Sequence, residues 1–284
     1  MATAVKAALL QITSGDDPAA NLAMIQPMIA EAAANGAGFV LMPEVSNCLS
    51  NSRARQNEVL RREDEDETLK ALRAQAADLG IWLLIGSLGL KTGDADGRFA
   101  NRSFLISPGG DIAAWYDKIH MFDVQVSAHE TYRESDGYRP GDRAVVARTP
   151  FGVVGMTVCY DVRFAYLHRM LAHAGATILT VPAAFSPVTG VVHWEPLLRA
   201  RAIETGCYVL APAQCGLHTK PGEKERRTHG HGMVVAPWGE VLLDMGTEPG
   251  IGYVTLDPEA VESARKRVPA LSHDRTVALD DSAL

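Results

Sequence analysis

The chain has 284 residues, 47% of them hydrophobic, and a formal net charge of -7. That length buries a sizeable core without disulfides or metals, and the mild acidity makes nucleic acid or an anionic membrane a poor partner. Residues 1–14 lack the features of a secretory signal, no stretch approaches the roughly 18 to 20 apolar residues that span a bilayer, and Cys48, Cys159, Cys207 and Cys215 show no CxxC spacing.

These features predict a reduced, cytoplasmic protein with a single domain over residues 1–284, its core at about 5–256 and a C-terminal helix and tail at 257–284. Residues 5–12 form an apolar run of strand length. Asp17, Pro18 and Asn21 then introduce a helix whose apolar positions (Met24, Ile25, Met28, Ile29, Ala32) recur at spacings of three and four, and Asn35-Gly36 stops it. Residues 38–42 read as a buried strand closed by Pro43-Glu44. Residues 67–79 read as a helix ended by Gly80, and 81–85 as the strand after it. A hairpin is predicted from 101–106 and 112–116 around Pro108-Gly109-Gly110.

In the second half, strands are predicted at 153–158, 177–181, 208–211 and 251–256, with helices at 164–174, 193–205 and from Pro258. Residues 233–235 and 240–243 read as a hairpin around Pro237-Trp238-Gly239. Strand–helix alternation with hairpins mixed in implies a layered α/β fold with mixed sheets. Three long stretches, 45–64, 118–142 and 215–229, read as irregular. Long loops in a compact fold tend to carry function, so the site is expected there.

Cys159 stands at the carboxyl end of the strand 153–158, before the polar turn Tyr160-Asp161-Val162-Arg163 and a helix. That edge of an α/β sheet is where ligands bind and nucleophile elbows form, and the turn aims the Tyr160 N–H at a group bonded to sulfur. A thiol there reads equally as a packed core residue. Glu44 follows the strand 38–42, where burial would raise its pKa toward the range of a general base; a helix cap or surface charge is the alternative. Lys118 follows the strand 112–116 and could stabilise both a thiolate and an oxyanion, or be an ordinary exposed lysine.

The blocks LMPE (41–44), YDKIHMFD (116–123) and CYDVRF (159–164) resemble, in order and separation, those of the nitrilase superfamily of carbon–nitrogen hydrolases. The resemblance covers about residues 5–275 and maps that family's Glu–Lys–Cys triad onto Glu44, Lys118 and Cys159. ESDGYRPGD (134–142) implies that Glu134 positions the substrate and the lysine. The runs at 181–216 and HGHGMVVAPWG (229–239) look most like the deaminated glutathione amidase branch. By that resemblance Ala184 and Phe185 line the acyl pocket, Thr189 and His193 bear on substrate choice, and Arg201 is structural with Glu204 as its ion-pair partner. Ala165, Gly232 and Ala236 depart from the pattern, replacing the usual Pro, Ser and Asp.

The resemblance implies a four-layer αββα sandwich, a homodimer formed through one helix layer, and no metal or organic cofactor. It also implies hydrolysis of a small linear amide through a cysteine thioester. Deaminated glutathione is the expected substrate, with a shorter ω-amide such as α-ketoglutaramate still open. Tyr160-Asp161, where true nitrilases carry Trp-Glu, argues for an amide over a nitrile, and the intact triad argues against a silent binding member. His218, His229 and His231 lack a Cys or acidic partner that would complete a metal site. The run KPGEKERR (220–227), interrupted by Glu223 and Glu225, reads as a solvated loop rather than a nucleic-acid patch, or as an attractor for an anionic peptide-like substrate.

Overall fold

The computed structural model describes residues 2–126, 131–219 and 225–280. Strand β1 (Val5–Gln11) leads into helix α1 (Pro18–Ala34), with the Asp17 carboxylate accepting from the Ala19 and Ala20 amides at 3.0 and 3.4 Å. A side-chain acceptor there satisfies N–H groups that the first helical turn leaves unpaired. Strand β2 (Phe39–Leu41) follows, then α2 (Arg53–Val59), α3 (Glu67–Leu79), β3 (Trp82–Lys91), β4 (Phe99–Ile106) and β5 (Ile112–Asp117). Short strands β6 (Asp123–Gln125) and β7 (Thr131–Arg133) pair antiparallel.

The second half runs β8 (Val145–Thr149), β9 (Gly152–Met156), α4 (Ala165–His173), β10 (Ile178–Thr180), α5 (Pro187–Thr205) and β11 (Tyr208–Ala211). The antiparallel pair β12 (Cys215–Leu217) and β13 (Arg227–His229) comes next. Strands β14 (Met233–Val235), β15 (Val241–Asp244) and β16 (Gly250–Leu256), then helix α6 (Pro258–Arg267), complete the order.

Two six-stranded mixed sheets result, ordered β16-β1-β2-β3-β4-β5 and β15-β14-β11-β10-β9-β8. The period-two alternation of the strands decides which face each residue serves. Ala7, Leu9, Phe39, Leu41, Leu84 and Leu105 face the second sheet and pack in one core with Val154, Met156, Leu179 and Val209. Their neighbours Ala8, Leu10, Val40, Leu83 and Ile85 point the other way, against Ile25 and Ile29 of α1 and Leu69 and Leu72 of α3. Helices α4 and α5 cover the second sheet, with Leu167, Trp194 and Leu198 buried. The layers run helix, sheet, sheet, helix.

Several predicted boundaries move. Strand β3 continues through Lys91, because β4 keeps pairing with it beyond a register shift between Ile85 and Leu88. Helix α5 starts at Pro187 rather than His193, since a proline in the first turn has no N–H to leave unpaired. Strand β8 was not predicted, and the three stretches read as irregular hold α2, β6–β7 and β12–β13. Of the run 220–227, residues 220–224 lie outside the described residues. Among the described residues no helix is long and apolar enough to cross a membrane.

Candidate active site

The two sheets meet where three strand ends come together. Glu44 lies just past β2, and its main chain is held from both sides: Gln214 Nε2 donates to its carbonyl at 3.0 Å, and the next amide, Val45, donates to Ser87 Oγ at 2.8 Å. Val45 sits at φ +47°, a left-handed conformation that a β-branched residue adopts only when its surroundings impose it. Gly86 of β3 makes the close approach possible. A Cβ there would fall 1.9 Å from the Met42 carbonyl oxygen, 2.5 Å from that of Pro43 and 2.6 Å from Pro182 Cβ.

Lys118 follows β5, its N–H donating to Asn101 O at 2.9 Å and its carbonyl accepting from Gly141 N at 2.8 Å. Cys159 opens a 3₁₀ turn (Cys159–Arg163) beyond β9, at φ +51°, with its N–H on Pro182 O at 2.9 Å. A sharp strand-to-turn bend at a strained residue is the backbone form of a nucleophile elbow.

The side chains complete one buried cluster. Lys118 Nζ donates to Glu44 Oε1 at 2.9 Å and to the two Glu134 oxygens at 2.9 and 2.8 Å. Asn101 Nδ2 and the Ala184 N–H donate to the Glu44 oxygens at 2.9 and 2.8 Å, and the Cys159 thiol hydrogen-bonds the same carboxylate. Glu134 also accepts from the Phe122 N–H at 2.7 Å. Lys118 is 2%, Glu44 4% and Cys159 8% exposed, so their interactions are little screened by water.

The electrostatics correct one expectation. Burial pushes the Glu44 carboxyl up, but the Lys118 charge and the hydrogen bonds from Lys118, Cys159 and Ala184 outweigh it and hold the group below the usual carboxylate value. Burial works against the Lys118 cation, yet Glu134 and Glu44 keep its pKa well above the ordinary lysine value. Burial and the neighbouring Glu44 charge push the Cys159 thiol well above its usual value, against the opposing pull of Lys118. The resting cluster is therefore carboxylate, ammonium and thiol.

A cavity of about 990 Å³ opens over this cluster. Glu44, Lys118, Cys159, Glu134, Tyr160, Ala184 and Phe185 all line it, and Ala184 does so while also binding Glu44 through its backbone. Thr189 and His193 are not in the wall. Because α5 begins at Pro187, Val188 faces the cavity, while Thr189, roughly 100° further round the helix, bonds Ser186 O at 3.5 Å. His193 is exposed, with Nδ1 3.2 Å from an Arg163 nitrogen. Arg163 in turn lies over the Phe185 and Tyr160 rings at 5.4 and 5.7 Å. Arg201 pairs with Glu204 at 2.6 Å and donates to Val162 O at 2.7 Å, bracing the turn that begins at Cys159 from α5. His218 sets its ring nitrogens 2.8 Å from Ser14 O and 2.7 Å from Thr228 Oγ1, a structural arrangement.

Two residues hold the site together in ways the sequence reading did not anticipate. Asn101 bridges Glu44 and Glu134; an Asn inside a strand is uncommon, and that was the available signal. Asp161, fully buried, accepts from Tyr116 Oη at 2.7 Å, Val158 N at 2.9 Å and His120 N at 3.1 Å.

Residues 6–266 match the carbon–nitrogen hydrolase family. The chain is 39% identical over 271 residues to a deaminated glutathione amidase from Yersinia enterocolitica, covering 95% of this chain and 93% of that one. Among solved structures it superimposes on the NitFhit protein of C. elegans with a TM-score of 0.89 at 34% identity, covering 97% of this chain and 66% of that one. It also superimposes, with a TM-score of 0.75 at 27% identity, on a mutant of the amidase from Nesterenkonia sp. AN1, covering 94% of this chain and 95% of that one. In that structure the acetamide moiety of fluoroacetamide is covalently added at the active-site cysteine.

Proposed function

The chain belongs to the carbon–nitrogen hydrolase family, and from that premise we propose that it is an amidase whose nucleophile is Cys159, with deaminated glutathione as substrate. The observation that carries the reading is the meeting of Cys159 from one sheet with Glu44 and Lys118 from the other in a single buried cluster. The covalent addition of the acetamide moiety of fluoroacetamide at the active-site cysteine of the Nesterenkonia amidase mutant supports a nucleophilic cysteine in a related protein.

The mechanism follows from the resting charges. Glu44 takes the Cys159 proton as sulfur bonds to the amide carbon, so no free thiolate need accumulate on a thiol whose pKa is raised. The oxygen that gains charge is held by the Lys118 ammonium and the Tyr160 N–H; one such donor is worth roughly 3 to 4 kcal/mol in the transition state. Protonated Glu44 gives its proton to the leaving nitrogen, the C–N bond breaks, and the amine departs: the cysteinylglycine portion from deaminated glutathione, ammonia from a primary amide such as α-ketoglutaramate. Water then loses a proton to Glu44 as it adds to the thioester, the C–S bond breaks, and the acid and the thiol are released. Glu134 and Asn101 keep Lys118 and Glu44 in register through both halves.

We also propose a cytoplasmic homodimer. The four cysteines are free thiols, which suits a reducing compartment, and Tyr166, Met170, Val191 and Val192 form an exposed apolar face on α4 and α5 that suits burial against a second copy. The test of the activity is release of a new primary amine from deaminated glutathione, and of ammonia from α-ketoglutaramate, a carbamoyl-β-amino acid and a simple nitrile, by wild type and Cys159→Ala. Turnover of none, or turnover surviving in Cys159→Ala, overturns the reading. Preference for the nitrile overturns the substrate class alone.

A further inference from the structure

The cavity wall contains a cation that the amide chemistry does not use. Arg226 enters from the β12–β13 hairpin, whose backbone is fixed beside it: His218 N donates to Arg226 O at 2.9 Å and Arg226 N to Thr219 Oγ1 at 3.3 Å. The His218 ring anchors the same hairpin to Ser14 and Thr228. The Arg226 guanidinium lies over the ring of Tyr132, 4.8 Å from its centroid, and both residues line the cavity that holds Cys159. Its Nε is buried and has no hydrogen-bond partner, and among the described residues no carboxylate pairs with it. Of the acids in the cavity wall, Glu225 pairs with Arg227, and Glu134 with Lys118.

We propose that Arg226 binds a carboxylate of the substrate, so that the cavity selects linear amides with an anionic end over neutral amides of the same length. The proposal rests on the amidase reading for the position of the reacting carbon. A guanidinium stacked on an aromatic face keeps its N–H edges available in plane, the geometry that receives a carboxylate through two parallel hydrogen bonds. Arg53 and Arg133 line the same cavity, and Arg53 gives its N–H groups to the Gly137 and Gly97 carbonyls at 2.8 and 2.6 Å, which leaves its charge unneutralised. The cavity lining carries five cationic side chains (Arg53, Lys118, Arg133, Arg226 and Arg227) against four acidic ones (Glu44, Glu134, Asp136 and Glu225), a small positive excess in a protein of net charge -7. A volume of about 990 Å³ also exceeds what a two- or three-carbon amide fills, leaving room between the sulfur and a distant carboxylate.

The test uses monoamides of straight-chain dicarboxylic acids of increasing length, each beside the neutral alkanamide of equal length. Ammonia release is measured for wild type, Arg226→Gln and Arg226→Lys. Wild type should favour the carboxylate-bearing member, and the preference, as a ratio of kcat/KM values, should fall by about 10- to 100-fold in Arg226→Gln, mainly through KM. Arg226→Lys, which keeps charge but not the planar fork, should fall between the two. A ratio unchanged in Arg226→Gln overturns the proposal. The same variants are then made on a Cys159→Ala background and titrated calorimetrically with the monoamide that wild type prefers, or with glutarate if wild type cleaves none. Binding weakened tenfold or more by Arg226→Gln supports the subsite even where turnover fails, and unchanged binding overturns it. Failure of turnover in wild type counts against the amidase reading alone.

Discussion

Asp161 and His120 face each other with Oδ1 and Nδ1 2.7 Å apart, tying the turn that begins at Cys159 to the segment that carries Lys118. The pair joins segments 41 residues apart in sequence that follow strands of different sheets, β5 and β9. The His120 ring stacks on Phe164 at 3.5 Å, and its Nε2 reaches Tyr166 Oη at 2.6 Å, so the contact continues to the surface of α4. The other Asp161 oxygen holds Tyr116 Oη and the Val158 N–H, the residue just before Cys159.

This arrangement predicts that Asp161→Asn slows the reaction more than it loosens the fold. An amide can keep the acceptor oxygen for Val158 N and Tyr116 Oη, but it offers N–H groups where the His120 amide and ring require an acceptor. Stability should fall by about 1 to 3 kcal/mol, the cost of leaving a buried donor unsatisfied. The fall in kcat should reach 10-fold or more, because the geometry between Cys159 and Lys118 is disturbed. Thermal melts and steady-state rates on the same preparation check this; full activity in a destabilised variant would show that the pair serves folding alone.

Lys118→Met should be more severe. It leaves Glu44 and Glu134 facing each other without the cation that both contact at 2.8 to 2.9 Å. Removing one partner of a buried ion pair typically costs about 3 to 5 kcal/mol, and losing one oxyanion donor about 100- to 1,000-fold in kcat. Its pH dependence has a definite sign. In wild type Glu44 is held below its ordinary pKa of 4.5, so its contribution to stability is present above that value and fades as pH falls through the lowered one. In Lys118→Met burial is no longer opposed by the cation, the Glu44 pKa rises, and activity should begin to fail at a higher pH than in wild type. A pH–rate profile whose acid limb does not move upward would contradict this.

Much of this was legible from the residues. Apolar spacing located the helices at 67–79 and 18–34; strand-end positions made Glu44, Lys118 and Cys159 candidates, and the resemblance of the blocks LMPE, YDKIHMFD and CYDVRF to the nitrilase superfamily singled them out. The pairings that make the cluster work were not legible, because they join residues far apart in the chain: Ala184 N to Glu44, Asn101 to Glu44, Asp161 to His120. The depressed pKa of Glu44 escaped for the same reason. Burial could be guessed from sequence, but the hydrogen bonds that outweigh it could not. Thr189 and His193 were tied to substrate choice by the resemblance of the run 181–216 alone; on α5, which starts at Pro187, neither residue lines the cavity.

Gly86→Ala should damage activity from outside the cluster. Its Cβ would overlap the carbonyls of Met42 and Pro43, which lead into Glu44, and the ring of Pro182, whose carbonyl receives the Cys159 N–H. Backbone cannot yield as a flexible side chain does, so a loss of about 3 kcal/mol or more is expected, with a fall in kcat in whatever protein remains folded. Chemical denaturation and active-site titration together check it. A variant as stable and as active as wild type would mean that β3 can withdraw without disturbing either residue.

The acid sensitivity of the fold should be traceable to His168. Burial, only partly offset by its contact with Phe164 O, lowers its pKa to about 4, and Nε2 is buried without a partner. Protonation is thus easier in the unfolded chain, at an ordinary value of 6.5, than in the folded one. Stability is unaffected well above 6.5 and drops as pH falls from there toward 4, by about 2 kcal/mol between pH 7 and pH 5 for a single group. His168→Leu removes the titration and roughly keeps the volume, while the buried Nε2 it deletes had no bond to lose. The difference in unfolding free energy between pH 7 and pH 5 should therefore shrink by about that amount in the variant. His218, also lowered to about 4 by burial, should keep a part of the wild-type slope in place. Denaturant titrations at the two pH values decide the matter: an unchanged difference in His168→Leu would move the source of acid sensitivity to His218 and to the carboxylates around Lys118.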